Sequence, residues 1–297
     1  APGYRYSRDY FERYHASDPN KEQLIAEGEK RLEALRNIHT DWFKELIRNN
    51  FYQKHNISIK GGSGTTTYFL SGNYTYQGGR IEGNNKQRFS VRMGLDQQLG
   101  KIGYLMIGVS GGYAKSKSPN GSSFDPTSLV YNLNPYEQKT GELYSYPNRS
   151  YRDLTQQYQS DASDKNAGVD INVTLTPWQG FTLAYVAGLD YLQEDNHNFT
   201  PASSFTEQNT GVLDNARGIY SRMKGTTINL SSNLRATYNH VFADVHDVTL
   251  GANYDYYLYN YDAVGITGYG VGNVDAPSAI NNSLHGMRQP SVRNPRD

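Results

Sequence analysis

The chain has 297 residues but only 36% hydrophobic content, with 26 Tyr against 10 Phe and 2 Trp, so it is long enough for a large core yet poor in ordinary core material. Lys+Arg and Asp+Glu both total 29, which excludes a net charge that would select nucleic acid or an anionic surface. The absence of Cys excludes a disulfide framework and thiolate metal sites.

The start, "APGYRYSRDYF", lacks the basic then apolar layout of a signal peptide, so an export signal is expected to have been removed or to lie upstream. The first periodic segment is "SDPNKEQLIAEGEKRLEALRN". Asp18 is its candidate N-cap and Pro19 its first helical residue, Leu24, Ile25, Leu32 and Leu35 recur at near-helical spacing, and Glu27 precedes Arg31 by one turn. One amphipathic helix is expected here.

Beyond it the apolar period changes to two. "QKHNISIKG", "TTTYFLSGNYTYQGG", "KQRFSVRMGLDQQL", "IGYLMIGVSGGYA", "AGVDINVTLTP", "GFTLAYVAGLDYLQ", "TTINLSSNLRATYNHV" and "DVTLGANYDYYLYNY" all alternate. Such lengths fit tilted strands crossing a bilayer, which need about 9–11 residues, whereas the most apolar window, 102–114, falls short of the roughly 20 residues of a membrane helix. Lys60, Arg88, Arg92, Asp96, Asp170, Asp190, Arg235 and Asp255 fall on the polar parity of their strands, and the opposite faces of these segments carry no Asp, Glu, Lys or Arg. One face meets water and the other does not.

A soluble sandwich also alternates, but its buried face favours bulky Val, Ile and Phe. Here the uncharged face is Leu, Val, Ala, Gly and Tyr, with Tyr74, Tyr76, Tyr254 and Tyr256 placed toward strand ends as an aromatic girdle would be. The expected fold class is all-β: an antiparallel transmembrane β-barrel segment of about eight strands, part of a larger barrel, with long extracellular loops and one loop helix.

Connection lengths orient it. The links "GSG", "GK", "WQ" and "FADVH" are short, while those from Ser116 to Asn166 and from Glu194 to Lys224 are long. In outer-membrane barrels short turns are periplasmic and long loops extracellular. The chain therefore divides into an extracellular loop with a helix (1–52), barrel strands and loops (53–260) and an extracellular loop (261–297), with both ends outside the cell. The helix is expected to pack its apolar side over the barrel rim.

The stretch from Thr40 to Leu99 resembles the opening barrel region of SusC/RagA-type TonB-dependent outer-membrane transporters. The features that carry the likeness are Asp41-Trp42 with Glu45-Leu46, His55-Asn56-Ile57-Ser58, the Gly61-Gly62-Ser63 turn and the Tyr68-Phe69-x-Ser71-Gly72 run. The Gln77-x-Gly79 corner and the strand from Arg88-Phe89 to Leu95-Asp96 complete them. "LNPYEQKTGELYSY" at 133–146 and "VGITGYGVGNVDAPSAINNSL" after the eighth strand resemble family loops. The resemblance implies location in the cell outer membrane of a Gram-negative bacterium and a plugged barrel of about 22 strands. It also implies energy from a TonB complex, a SusD-like surface lipoprotein as lid, and import of oligosaccharides or peptides. Remaining barrel and plug segments are then expected on another chain or in missing sequence, because two open sheet edges in lipid would each leave costly unpaired backbone groups.

Catalytic and metal readings are weak. Gly108-Val109-Ser110-Gly111-Gly112 fits G-x-S-x-G, but its Ser lies inside an alternating strand rather than on a strand-to-helix turn. The seven His show no close ligand spacing, with His55, His240 and His246 reading as strand-end or turn residues, and "GGSGTTT" lacks the Lys of a phosphate loop. No enzyme activity, cofactor, metal or nucleic-acid partner is expected. The candidate ligand site is the mixture of aromatic and polar residues in the long loop: Tyr131, Asn132, Tyr136, Glu137, Tyr144, Tyr146 and Arg152. Rings stack on sugars or peptide side chains while amides and charges orient them. The competing reading is that these residues only fold the loop on itself. A β-rich surface adhesin or binding module without transport is the alternative for the whole chain.

Overall fold

The computed structural model describes residues 2–118, 126–143, 146–155, 159–209, 211–271 and 291–293. A 3-10 turn (Pro2–Tyr6) leads into helix α1 (Arg8–Tyr14), where the Ser7 hydroxyl accepts from the Tyr10 N–H as an N-cap. Helix α2 (Lys21–Arg36) is the expected amphipathic helix, but it starts after Asn20. Asp18 instead accepts from the Asn20 N–H at 2.9 Å, closing the turn before the helix. Arg31 lies over the Tyr6 ring, and α2 packs its buried Ile25 and Gly28 face on α1 and the first turn rather than on a barrel rim. Gly28 is required there because an added Cβ would come within 2.5 Å of the Tyr6 carbonyl oxygen. A short helix α3 (Trp42–Leu46), capped by Asp41, precedes the sheet.

All eight expected strands are present, as β1 (Tyr52–Ser63), β2 (Thr66–Gly78), β3 (Asn85–Gln98), β4 (Gly103–Ser118), β7 (Gln159–Leu175), β8 (Phe181–Thr200), β9 (Ile219–Phe242) and β10 (His246–Tyr269). Two minor strands, β5 (Glu142–Leu143) and β6 (Tyr146–Ser150), form a separate hairpin in the β4–β7 loop. The long strands pair in sequence order and antiparallel throughout, and a short β11 (Ser291–Arg293) pairs with the far end of β10. Among the described residues the sheet is open, with β1 at one edge and β11 at the other.

Register converts the parity argument into geometry, because directly opposed residues share a face. Lys60, Phe69, Gly94, Gly108, Asp170, Gly188, Ser231 and Tyr257 form one continuous cross-strand row. Stepping by two from that row places Arg88, Arg92, Asp96, Asp190, Arg235 and Asp255 on the same face. The opposite face presents Ile57, Leu70, Val91, Ile107, Val169, Leu189, Leu230 and Leu258. These side chains have nothing packed over them: Ile57 is 71% exposed, and Leu189 and Leu258 are also exposed. The buried cores of the described residues lie instead among the helices and loops and at the long-loop ends of β8 and β9.

The structure extends several strands beyond their alternating segments. Gln159–Asn166, Ile219–Gly225 and Asp262–Tyr269 continue the ladders toward the long-loop end. In these extensions the outward face acquires Lys115, Lys117, Asp161, Lys165, Asp195, Arg222, Lys224 and Asp262. Here both faces carry charged side chains, and the outward face also carries Phe199 and Tyr220, buried with Val271, so pairing persists while the hydrophobic period is broken. One consequence is that Tyr254 and Tyr256 lie within β10 rather than at its end. The segment from 261 onward contributes both the end of β10 and β11. The expectation of one loop helix gives way to several, with α4 (Pro126–Asn132), α5 (Tyr151–Thr155) and α6 (Phe205–Gln208) in the long loops.

The short links are all at the other end. In the β9–β10 link, Val245 N donates to Phe242 O at 3.2 Å across Ala243 and Asp244, whose φ values are 53° and 55°. Two positive-φ central residues are the mark of a type I′ hairpin turn, which normally takes Asn-Gly. Ala pays a steric penalty in that region. Ala243→Gly is therefore expected to stabilise the protein by about 0.5–1 kcal/mol in a denaturant titration, and a loss of stability would show that the turn is not held left-handed.

Candidate functional site

The long-loop end is built around one hydrophobic cluster. Trp42 and Leu46 of α3 pack with Leu129 and Leu133 around α4, Leu143 of β5, and Tyr151 and Leu154 of α5. Trp42 Nε1 donates to the Asn134 carbonyl at 2.7 Å, and Thr40 N donates to the Pro135 carbonyl at 2.6 Å. Residues before the first strand are thus fastened to the β4–β7 loop. Lys139 adds a polar tie: its ammonium lies 3.1 Å from Glu82 in the β2–β3 corner and 3.3 Å from the Glu45 carbonyl, with the Tyr151 ring 5.6 Å away.

A second tie runs to the β8–β9 loop. Tyr146 packs edge-on against Phe205 at 5.5 Å, Arg149 sits over the same ring, and its guanidinium donates to the Gln208 side-chain oxygen. Ser204 caps α6, and Glu207 accepts from Gly218 N at 3.0 Å beside a small cluster of Phe199, Tyr220 and Val271. Three loops therefore behave as one platform.

The seven candidate ligand residues divide within it. Glu137 is 0% exposed and its carboxylate accepts from Asn134 N at 2.7 Å, closing the turn after α4. Tyr146 is half-buried against Phe205, and Tyr136 is half-buried. Burial, then the nearby Glu137 carboxylate, raises both phenols above their ordinary value, so they remain neutral hydroxyls. Burial pushes the core Tyr151 phenol up to about 12. Tyr131, at 82% exposure, is open to solvent together with Asn132 and Arg152. Tyr144 lies outside the described residues.

Sequence reasoning missed a neighbouring cleft of about 390 Å³ between the N-terminal helices and β5, lined by Tyr6, Arg31, Ile38, Gln138, Thr140 and Glu142 among others. Its residues come from segments far apart in sequence, which no local pattern joins. Its mixed charge and amide lining suits a polar, hydrogen-bonding ligand. Among the described residues no group of His, Asp and Glu has metal-binding geometry, and Ser110 lies within β4.

The entry to α5 is a reciprocal cap. Ser150 N donates to Asp153 Oδ2 at 2.9 Å, and Asp153 N donates to Ser150 Oγ at 3.2 Å. The backbone hydrogen bond from Ser150, then its hydroxyl, holds the Asp153 carboxyl below its usual range. A lowered folded-state value means that this contribution is complete above about pH 4 and is lost as pH falls through the folded value. Protease cleavage of the loop should accordingly rise on acidification, and Asp153→Asn should raise cleavage at neutral pH and flatten its pH dependence. Identical profiles for the two proteins would refute the cap.

No protein-family model matches the chain. A curated protein, TonB-dependent receptor P3 of Formosa agariphila, is 30% identical over 74 residues, which are 25% of this chain and 7% of that protein. Among solved structures, the RagAB peptide importer in its closed-closed state aligns with TM-score 0.65 and 22% identity. The same importer in its open-open state aligns with TM-score 0.67 and 21% identity. Each alignment covers 87% of this chain and 30% of the matched chain. The open antiparallel sheet with its loop platform therefore has the fold of part of the RagAB peptide importer, and spans under a third of the chain it matches.

Proposed function

We propose that this chain forms part of the wall of a TonB-dependent outer-membrane importer, with its loop platform on the extracellular side and its short turns in the periplasm. The observation that carries the reading is the sheet's outward face, apolar and uncharged in a band across eight strands below their long-loop extensions, against a lumen face bearing Lys60, Arg88, Arg92, Asp96, Asp170, Asp190, Arg235 and Asp255. Only a wall between lipid and water calls for that division without a core on either side. The open edge at β1 supports further barrel strands beside it.

A SusD-like lipoprotein lid over the platform, energy from a TonB complex and cargo of peptide or oligosaccharide complete the proposal. Peptide is the favoured cargo, since solved structures that share this fold are described as a peptide importer. Exposed Tyr131, Asn132 and Arg152 are proposed to contact it, next to the cleft lined by Arg31 and Glu142. Uptake of labelled peptide and oligosaccharide pools by cells carrying the complete protein tests this. The combined Tyr131→Ala, Asn132→Ala and Arg152→Ala variant should raise the half-saturating cargo concentration on the order of tenfold while the protein stays in the outer membrane. Unchanged uptake of both pools on deleting the gene would defeat the importer reading, and unchanged uptake by the variant would defeat the site.

A further inference from the structure

The outward face changes character abruptly on three strands. On β4 the run Leu105, Ile107, Val109, Gly111, Tyr113 gives way to Lys115 and Lys117. On β7, Lys165 stands directly before Ala167, Val169, Ile171 and Val173, and on β9 Lys224 and Thr226 stand before Ile228 and Leu230. All four lysines are exposed, and among the described residues none lies within ion-pair or hydrogen-bond distance of a partner, with Lys117 directly opposite Asp161 and Lys224 directly opposite Asp195 on neighbouring strands.

The acids on this face are already engaged. Asp195 accepts from Arg222 at 2.8 and 2.5 Å, Asp161 lies 3.2 Å from His197 Nε2, and Asp262 also has a partner. On the lumen face of the same extensions the charges are instead acidic at Asp164 and Glu194. On the outside of the wall these lysines stand at the edge of the apolar zone, whereas the lumen-face cations at this level, Lys86 and Arg88, face the water of the lumen. Lys115 lies opposite Ser163, one same-face step from Lys165, and Lys224 is two strands farther on, roughly 10 Å.

We propose that Lys115, Lys117, Lys165 and Lys224 bind the phosphate groups of outer-leaflet lipid whose acyl chains lie along Val109, Ile171 and Leu230. Ammonium groups on flexible stems suit phosphate as compact point charges, and the apolar residues below them match the chains of the same molecule. Lysines near an anionic lipid surface each strengthen attachment roughly fivefold. The inference rests on the lipid-facing assignment of this face.

The test uses the complete protein extracted from outer membranes in mild detergent, with retained phosphorylated glycolipid counted by native mass spectrometry. The combined Lys115→Gln, Lys117→Gln, Lys165→Gln and Lys224→Gln variant should retain at least about tenfold less, while the matching four-Arg variant retains it. Arg235→Gln, which removes one charge from the lumen face, should change nothing. A wash with inorganic phosphate should leave the glycolipid in place. Undiminished retention by the four-Gln variant would overturn the proposal, as would glycolipid displaced completely by inorganic phosphate, which would mark a simple anion site. A protein absent from outer membranes would overturn the lipid-facing reading itself.

Discussion

Replacing Leu230 or Ile107 by Arg is expected to destabilise the bilayer-embedded protein by about 2–4 kcal/mol, because either side chain would be forced into lipid near the midplane. Leu230 stands between Leu189 and Leu258, and Ile107 between Leu95 and Ile171, so each lies within a continuous apolar row on the outward face. Asn233 is the matched control. It lies on the lumen face, donating to Asp255 at 2.5 Å and to Asn253 at 2.8 Å, where an Arg would meet an acid and water. Asn233→Arg should cost under about 1 kcal/mol. Equal costs for the two faces in an outer-membrane folding assay would defeat the topology.

Trp42→Ala is expected to have the largest effect on the loop platform. Trp42 is 4% exposed, lies against Tyr151 at 6.1 Å and supplies a hydrogen bond to Asn134. Truncating a buried Trp costs about 3–5 kcal/mol, and the Asn134 carbonyl would lose its donor as well. The platform should come apart from the first segment while the sheet persists. Limited proteolysis would then cut between residues 37 and 50 and within 126–143 far faster than in the wild type, with the strands still protected. A protease pattern like the wild type would show that the cluster does not hold the loops together.

The strands were legible because one of their faces is apolar, and they became illegible where that face ends. Ile219 to Gly225 continues β9 through Arg222 and Lys224 on the outward side, where a period of two carries no hydrophobic signal and only the ladder to β8 and β10 defines the strand. Helix α2 has 16 residues and could be found, whereas α4 and α5, with 7 and 5, are too short to show a period. Their positions follow from Trp42 and Leu46, 80 or more residues away from Leu129 along the chain.

The candidate ligand set was legible as composition but not as direction. Glu137 and Tyr131 have similar claims in sequence, yet one side chain turns inward to Asn134 and the other projects into solvent. That difference depends on how the chain folds back after α4. The Asn134-x-x-Glu137 spacing carries a local signal for it, since a side chain three residues on can return to a backbone N–H.

Neighbouring residues on β8 provide the most direct measurement of the central claim. Leu189 and Asp190 are adjacent in sequence but belong to opposite faces of the sheet, and the absence of Cys makes single labelling sites straightforward to introduce. A fluorophore attached through Leu189→Cys in the complete protein, reconstituted in bilayers, should be quenched by lipid-borne quenchers and protected from aqueous ones. The same fluorophore at Asp190→Cys should not be quenched from the lipid phase. Equal lipid-phase quenching at the two positions, or its absence at Leu189, would contradict a membrane-spanning wall.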